Sequence, residues 1–171
     1  MAWPLAIEEQ AMPALTTYRT PIQKDWVDYN GHLRDAYYLL IFSYATDALM
    51  ERIGLDADNR GHSGNSLFTL EAHINYLHEV KLSTEVWVQT QIIGFDHKRL
   101  QIYHSLHRKE SDEALAASEQ MLLHVDLAGP KSTPFGDRTL QALEQIIEEQ
   151  RNLPKPKHPS RTIQLSKQHD D

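Results

Sequence analysis

The chain has 171 residues, no cysteine and a formal net charge of −7. That length buries a core without disulfides or thiolate ligands, and the lack of cysteine suits a reducing compartment. An acidic balance argues against sequence-independent nucleic-acid binding, which needs clustered Lys and Arg, and no stretch approaches the ~20 apolar residues of a membrane span. The amino end has no basic, apolar leader, so the expectation is one soluble, cytoplasmic domain with neither nucleic acid nor membrane as partner.

Residues 1–14 read as an N-terminal extension, and 15–23, rich in Thr and Tyr, as a first strand. Next comes the most informative segment: Asp28, Asn30, Gly31 and His32 lie within five consecutive positions. Asp serves as base or nucleophile, Asn orients water or an oxyanion, His moves protons near neutrality, and Gly admits close backbone approach. The same residues are also common in turns and helix caps, and composition alone leaves both readings open. Residues 35–54 carry apolar or aromatic side chains around nearly the whole circumference, including Leu39, Phe42, Leu49 and Ile53, which predicts a helix buried by its surroundings.

The polar stretch 55–65 reads as a loop with His62 facing solvent. Period-two alternation then predicts strands over 66–77, 83–93, 99–107 and 113–126, with turn chemistry at Gly94 to Lys98. Linked as hairpins, these strands are expected to form an antiparallel meander. After Gly129-Pro130, an amphipathic helix is expected from 133 or 134 to 152, with Leu140, Leu143, Ile146 and Ile147 on one face. Residues 154–171, with three prolines near their start, read as an extended or disordered tail or an arm on a partner subunit. The domain is thus set at 15–153 and its class is α+β: a curved antiparallel sheet around one buried helix, plus a terminal helix.

His73 and His78, five apart on one predicted strand, face opposite sides, so no metal site is expected. His97, His104, His107 and His124 read as strand and turn residues.

This order resembles the hot-dog fold, and specifically the acyl-CoA thioesterases related to 4-hydroxybenzoyl-CoA thioesterase. Asp28 followed by Gly31, ahead of a helix holding Tyr37 and Tyr38, is similar to that family's Asp-x-x-Gly loop with its downstream aromatic. The run Asp28-Tyr29-Asn30-Gly31-His32 also resembles the Asp-x-Asn-x-His segment of plant acyl-carrier-protein thioesterases. Residues 74–80 resemble a strand that ends in a functional acid, which points to Glu79; position alone leaves Glu79 a sheet-edge carboxylate. The wording of 30–38 looks closest to the betainyl-CoA thioesterases of bacterial carnitine degradation.

The resemblance implies hydrolysis of a small acyl-CoA, with betainyl-CoA as the candidate. Asp28 attacks the carbonyl or, the favoured route, activates water, while Asn30 and His32 position that water and relay its proton and Glu79 offers a second acid or base. Backbone N–H groups from Gly31 to Arg34 would brace the oxyanion, with the Asp28 side chain aimed into a thioester-sized cleft. Trp26, Tyr29, Gly31, Leu33, Tyr37 and Tyr38 would line the acyl group, with Trp26, Tyr29 and Tyr37 as a box for a quaternary ammonium. Lys98 and Arg99 would meet the phosphates of coenzyme A, although an exposed turn pair is equally at home in water. Coenzyme A is part of the substrate and no separate cofactor is implied. A homodimer is expected, with a tetramer left open. The alternatives are an acyl-CoA hydratase or dehydratase of the same fold, or a non-catalytic acyl-CoA-binding module.

Overall fold

The computed structural model describes residues 15–166; the extension over 1–14 and the end of the tail, 167–171, lie outside them. In chain order the elements are β1 (Leu15–Pro21), α1 (Asp35–Arg52), α2 (Ala57–Ser63), β2 (Asn65–Tyr76), β3 (Glu85–Phe95), β4 (Arg99–Arg108), β5 (Ala116–Asp126), β6 (Lys131–Ser132) and α3 (Asp137–Gln150). They build one antiparallel sheet in the order β1-β3-β4-β5-β2, with β6 added to β5.

The four-strand meander holds for β3, β4 and β5 only. β2 pairs with β5, from Asn65 opposite Asp126 to Tyr76 opposite Ala116, and so stands at the sheet edge. The segment 77–84 is no hairpin turn, because its backbone is committed elsewhere. Leu77 and His78 donate to the Leu115 carbonyl, Leu33 donates to Val80, and Ser83 donates to Ile22. This segment crosses the open end of the sheet past the amino end of α1 and delivers β3 beside β1.

Alternation decides the faces. Val86, Val88 and Ile92 of β3, Leu100, Ile102 and Leu106 of β4, and Leu122 of β5 are buried with Ile41, Phe42, Ala45 and Leu49 of α1. Each large apolar side chain so buried contributes about 1.5–3 kcal/mol. Gly54, at φ +82, turns the chain out of α1, a left-handed conformation that glycine adopts without a Cβ penalty.

α2 occupies what reads as loop in the sequence. It buries no residue, so it leaves no apolar periodicity; its ends are set instead by Asp56, whose Oδ1 accepts from the Asn59 amide at 2.8 Å, and by Gly64 at φ +70. α3 is shorter than expected, and its last residue does sheet chemistry. The Gln150 side chain accepts from Ile92 N and donates to Thr90 O, both at 2.9 Å, continuing the β3 ladder beyond the Leu15–Thr90 pair where β1 stops.

One polar string crosses the core. Thr46 Oγ1 donates to the Phe42 carbonyl at 3.1 Å, so it must accept from His104 Nε2 at 3.0 Å; Nδ1 then accepts from Thr90 Oγ1 at 2.8 Å, and Thr90 accepts from Thr17 at 2.9 Å. Complete burial pushes the His104 imidazole down to about 3 and keeps it neutral.

Residues 154–166 have no regular secondary structure and run over the chain's own sheet. His158 N donates to the Tyr103 hydroxyl at 3.3 Å, and Ser160 donates through N and Oγ to Glu119 at 2.9 and 3.1 Å. Tyr103 and Glu119 are cross-strand partners on the sheet face turned away from α1. Prolines at 154, 156 and 159 lower the entropy lost in this ordering.

Candidate active site

The loop between β1 and α1 is closed by its own backbone. Asp28 N donates to His32 O at 2.9 Å and Gly31 N to Asp28 O at 3.0 Å, while Val27 bridges Leu33 and His32 bridges Lys81. Gly31 takes φ +76 to make the reversal. The Asp28 Oδ1 atom accepts from Asn30 N at 2.8 Å and His32 N at 3.1 Å, and among the described residues nothing donates to Oδ2. The His32 amide bond, opposed by slight desolvation and aided by the Asn30 amide, holds this carboxyl below its ordinary range, so it is an anion with one oxygen unspent.

The expected oxyanion donors are not available. The Gly31, His32, Leu33 and Arg34 amides donate to Asp28 O, Asp28 Oδ1, Val80 O and Trp26 O. Folding the loop tightly enough to place Asp28 consumes them. Beyond them, Ala36 N donates to Asp35 Oδ1 and Tyr37 N to Arg34 O, which leaves the Asp35 amide without an acceptor among the described residues. That N–H sits in the first turn of α1, where the helix dipole favours negative charge.

His32 and Glu79 come together, Nδ1 to Oε2 at 3.6 Å, across the loop and the crossing segment. Glu79 lines a cavity of about 250 Å³ with Leu33, Asp35, Tyr38, Tyr76, Leu77 and His78. In it the Tyr38 and Tyr76 rings meet edge to face at 5.3 Å. The Tyr38 hydroxyl donates to His78 O at 3.1 Å and that of Tyr76 to Asp35 O at 3.3 Å. Burial, and then the Glu79 charge, push the Tyr38 phenol up to about 12, so it stays a donor. Asp28 is part-exposed and, among the described residues, does not line this cavity, contrary to the expected cleft.

The expected aromatic box is not assembled. Trp26 is 7 % exposed, drawn into the core with its ring stacked on Tyr37 at 6.1 Å, while Tyr29 is 93 % exposed. A cation needs an open ring face, and the two aromatics that border this cavity are Tyr38, which the resemblance placed against the acyl group, and Tyr76, which it did not. Tyr76 sits at the carboxyl end of the β2 alternation, three positions before Glu79, and that spacing was the available signal. His78 lies past the end of β2, not on the strand with His73, and pairs with Glu113 at 2.8 Å.

Lys98 and Arg99 stand apart from the loop. They occupy the β3–β4 turn, at the other end of β3 from the segment that flanks His32, roughly 30 Å of extended strand away. Arg99 is bonded to Asp96 Oδ2 through Nε at 2.7 Å and Nη2 at 2.6 Å, and Lys98 Nζ donates to Ser132 at 3.2 Å.

Comparison with known proteins gives consistent relatives. The family described as the thioesterase-like superfamily matches residues 22–143. A betainyl-CoA thioesterase of Pseudomonas aeruginosa is 60% identical over 151 residues, 88% of this chain and 95% of that protein. An L-carnitine dehydrogenase/betainyl-CoA thioesterase of Agrobacterium fabrum is 38% identical over 149 residues, 87% of this chain and 30% of that protein. Among solved structures, a candidate thioesterase of Pseudomonas putida superposes with a TM-score of 0.83 at 72% identity, covering 91% of this chain and 99% of that one. A Staphylococcus aureus protein in complex with CoA superposes with a TM-score of 0.84 at 24% identity over the same shares, a likeness of fold alone.

Proposed function

We propose that this chain, which belongs to the thioesterase-like superfamily, hydrolyses betainyl-CoA to betaine and free coenzyme A. The observation that carries the chemistry is the Asp28 carboxylate, ionised and fixed by two amides through Oδ1 while Oδ2 is unspent. In this reading Oδ2 takes a proton from water as the water oxygen adds to the thioester carbonyl, with Asn30 orienting that water. The Asp35 N–H and the amino end of α1 stabilise the oxyanion. As the tetrahedral intermediate collapses and the carbon–sulfur bond breaks, His32, held beside Glu79, relays the proton that Asp28 took from water to the departing thiolate, which leaves Asp28 ionised again. Coenzyme A enters as part of the substrate, and the scheme uses no further cofactor.

The acyl group is read from the 250 Å³ cavity. Tyr76, 51 % exposed, presents aromatic surface there with the buried Tyr38 ring edge to face behind it, and the Asp35 and Glu79 carboxylates border it, which suits a quaternary ammonium better than a neutral acyl chain. The names of the Pseudomonas and Agrobacterium relatives support the same substrate. A homodimer completes the proposal. Among the described residues no strand pairs with the outer edge of β2, which exposes Phe68, Leu70 and Tyr76, and a second copy on that edge would wall in the part-exposed Asp28. Among the described residues no helix is long and apolar enough to cross a membrane, and we place the enzyme in the cytoplasm.

The test is thiol release from a panel of acyl-CoA esters. Betainyl-CoA should turn over fastest, and Tyr76→Leu should raise its KM about tenfold while leaving that of acetyl-CoA within twofold. Equal effects on both esters would refute the aromatic subsite, and no thiol release from any ester would refute hydrolysis.

A further inference from the structure

A second cavity is on the other side of the sheet from α1. It measures about 560 Å³, within the usual range for small-molecule sites, and its floor is the outward residues of β3 and β4, among them Gln89, Gln91 and Tyr103. Its roof is the carboxy-terminal strap, residues 153–158. Three pins hold the strap down: Gln91 Nε2 donates to Pro154 O at 3.5 Å, Tyr103 accepts from His158 N, and Glu119 accepts from Ser160. Between the first two pins the strap brings Lys155 and Lys157 to the rim. Among the described residues neither is paired with a carboxylate, and of the two acids in the lining Glu113 is already bonded to His78. The rest of the wall is mostly apolar, Leu77, Leu153 and Pro156 among it, and Gln89, Gln91 and Ser105 add polar groups that can hydrogen-bond phosphate or heterocycle edges. Leu77 and His78 line both this cavity and the 250 Å³ cavity at the amino end of α1. The two cavities therefore adjoin at this pair.

We infer that the cavity under the strap receives the phosphate-bearing nucleotide end of the coenzyme A ester, with Lys155 and Lys157 as its phosphate contacts. The pantetheine arm passes Leu77 and His78 to bring the thioester to Asp28. This deepens the thioesterase reading and rests on it. The strap then has a function beyond covering the sheet: two ammonium groups on a proline-stiffened segment meet an anion with little further ordering, and they do so as mobile point charges rather than as a bidentate fork.

The experiment compares two thioesters of one acid, the coenzyme A ester and the short N-acetylcysteamine ester that lacks the nucleotide. Lys155→Glu with Lys157→Glu should raise KM for the coenzyme A ester at least about tenfold, steeply dependent on salt, with kcat and the short-ester KM unchanged. An unchanged coenzyme A KM overturns the inference, as does an equal rise for both esters. So does a KM rise confined to Lys98→Glu with Arg99→Glu, which would put the nucleotide at the β3–β4 turn. Should the unsubstituted protein release no thiol, the hydrolase reading fails, and calorimetric binding of coenzyme A itself tests the strap: its affinity should fall about tenfold in the Lys155/Lys157 variant, and equal affinity overturns the inference.

Discussion

Asp28 and Asp96 make related turns and have different fates. Each aspartate folds its side chain onto the backbone that follows: Asp28 Oδ1 takes the amides of Asn30 and His32, and Asp96 Oδ1 takes those of Lys98 and Arg99. At Asp96 the second oxygen is spent as well, on the Arg99 guanidinium, and that residue is wholly occupied with holding the β3–β4 turn. At Asp28 the second oxygen is unspent, beside a histidine, a carboxamide and the start of the buried helix. A turn-forming aspartate becomes a reagent when the fold leaves it an unshared lone pair. The composition of the loop does not tell these apart; the bonding of each oxygen does.

The sharpest break between the two residues is chemical. Asp28→Asn keeps an acceptor for the turn but loses the base, so kcat should fall at least about a thousandfold while the melting midpoint falls less than in Asp96→Asn. Asp96→Asn should leave kcat intact and lower the melting midpoint, because it gives up the charged contact to Arg99. Equal losses of activity in the two variants would remove Asp28 from the chemistry. Since Asp28 is held below the ordinary carboxylate range, activity that depends on its anion persists as pH falls to 4. An acid limb centred above pH 5 would assign the base to another group.

Acid stability comes next in size. Both aspartates have lowered values, so their contributions are present above the unfolded pKa near 4 and are lost only below it. His104 acts in a higher window. Its folded value is about 3 against 6.5 unfolded, so between those values the unfolded chain takes up a proton that the folded chain refuses. Unfolding free energy should therefore decline as pH falls from 6.5, by on the order of 4 kcal/mol at pH 3, and His104→Gln should flatten that slope. A slope unchanged in this variant would return the effect to the carboxylates.

The smallest effect is conformational. Gly31→Ala meets no neighbouring atom within 4 Å, yet φ +76 costs it about 1 kcal/mol and tilts the loop that aims Asp28. Gly94→Ala, just ahead of the Asp96 turn and with equal space, should change stability by less than about 0.5 kcal/mol. Chemical denaturation of the two variants makes the comparison.

Much of the fold was legible because burial writes a period into the chain. The all-round apolar helix became α1 and the alternating runs became β2 to β5. What alternation cannot encode is which strand lies beside which, and so β2 beside β5 was missed, while α2, held by Asp56 and Gly64, had no apolar face to announce it. At the site, Asp28, Asn30, Gly31 and His32 were legible as a cluster, and His32 does meet Glu79. The spent amides from Gly31 to Arg34, the stacking of Trp26 on Tyr37 and the placing of the strap's lysines at a cavity rim were not, because each depends on tertiary partners that a linear motif does not carry.

The threonine–histidine string of the core has a mechanical side. With every hydroxyl and ring proton assigned a single direction, Thr17 on the outermost strand is fastened through β3 and β4 to the helix axis, as a rivet runs through plates. An edge that peels away would have to reverse or abandon each of those protons in turn, which gives β1 a hold on the centre of the molecule that its short ladder would not supply.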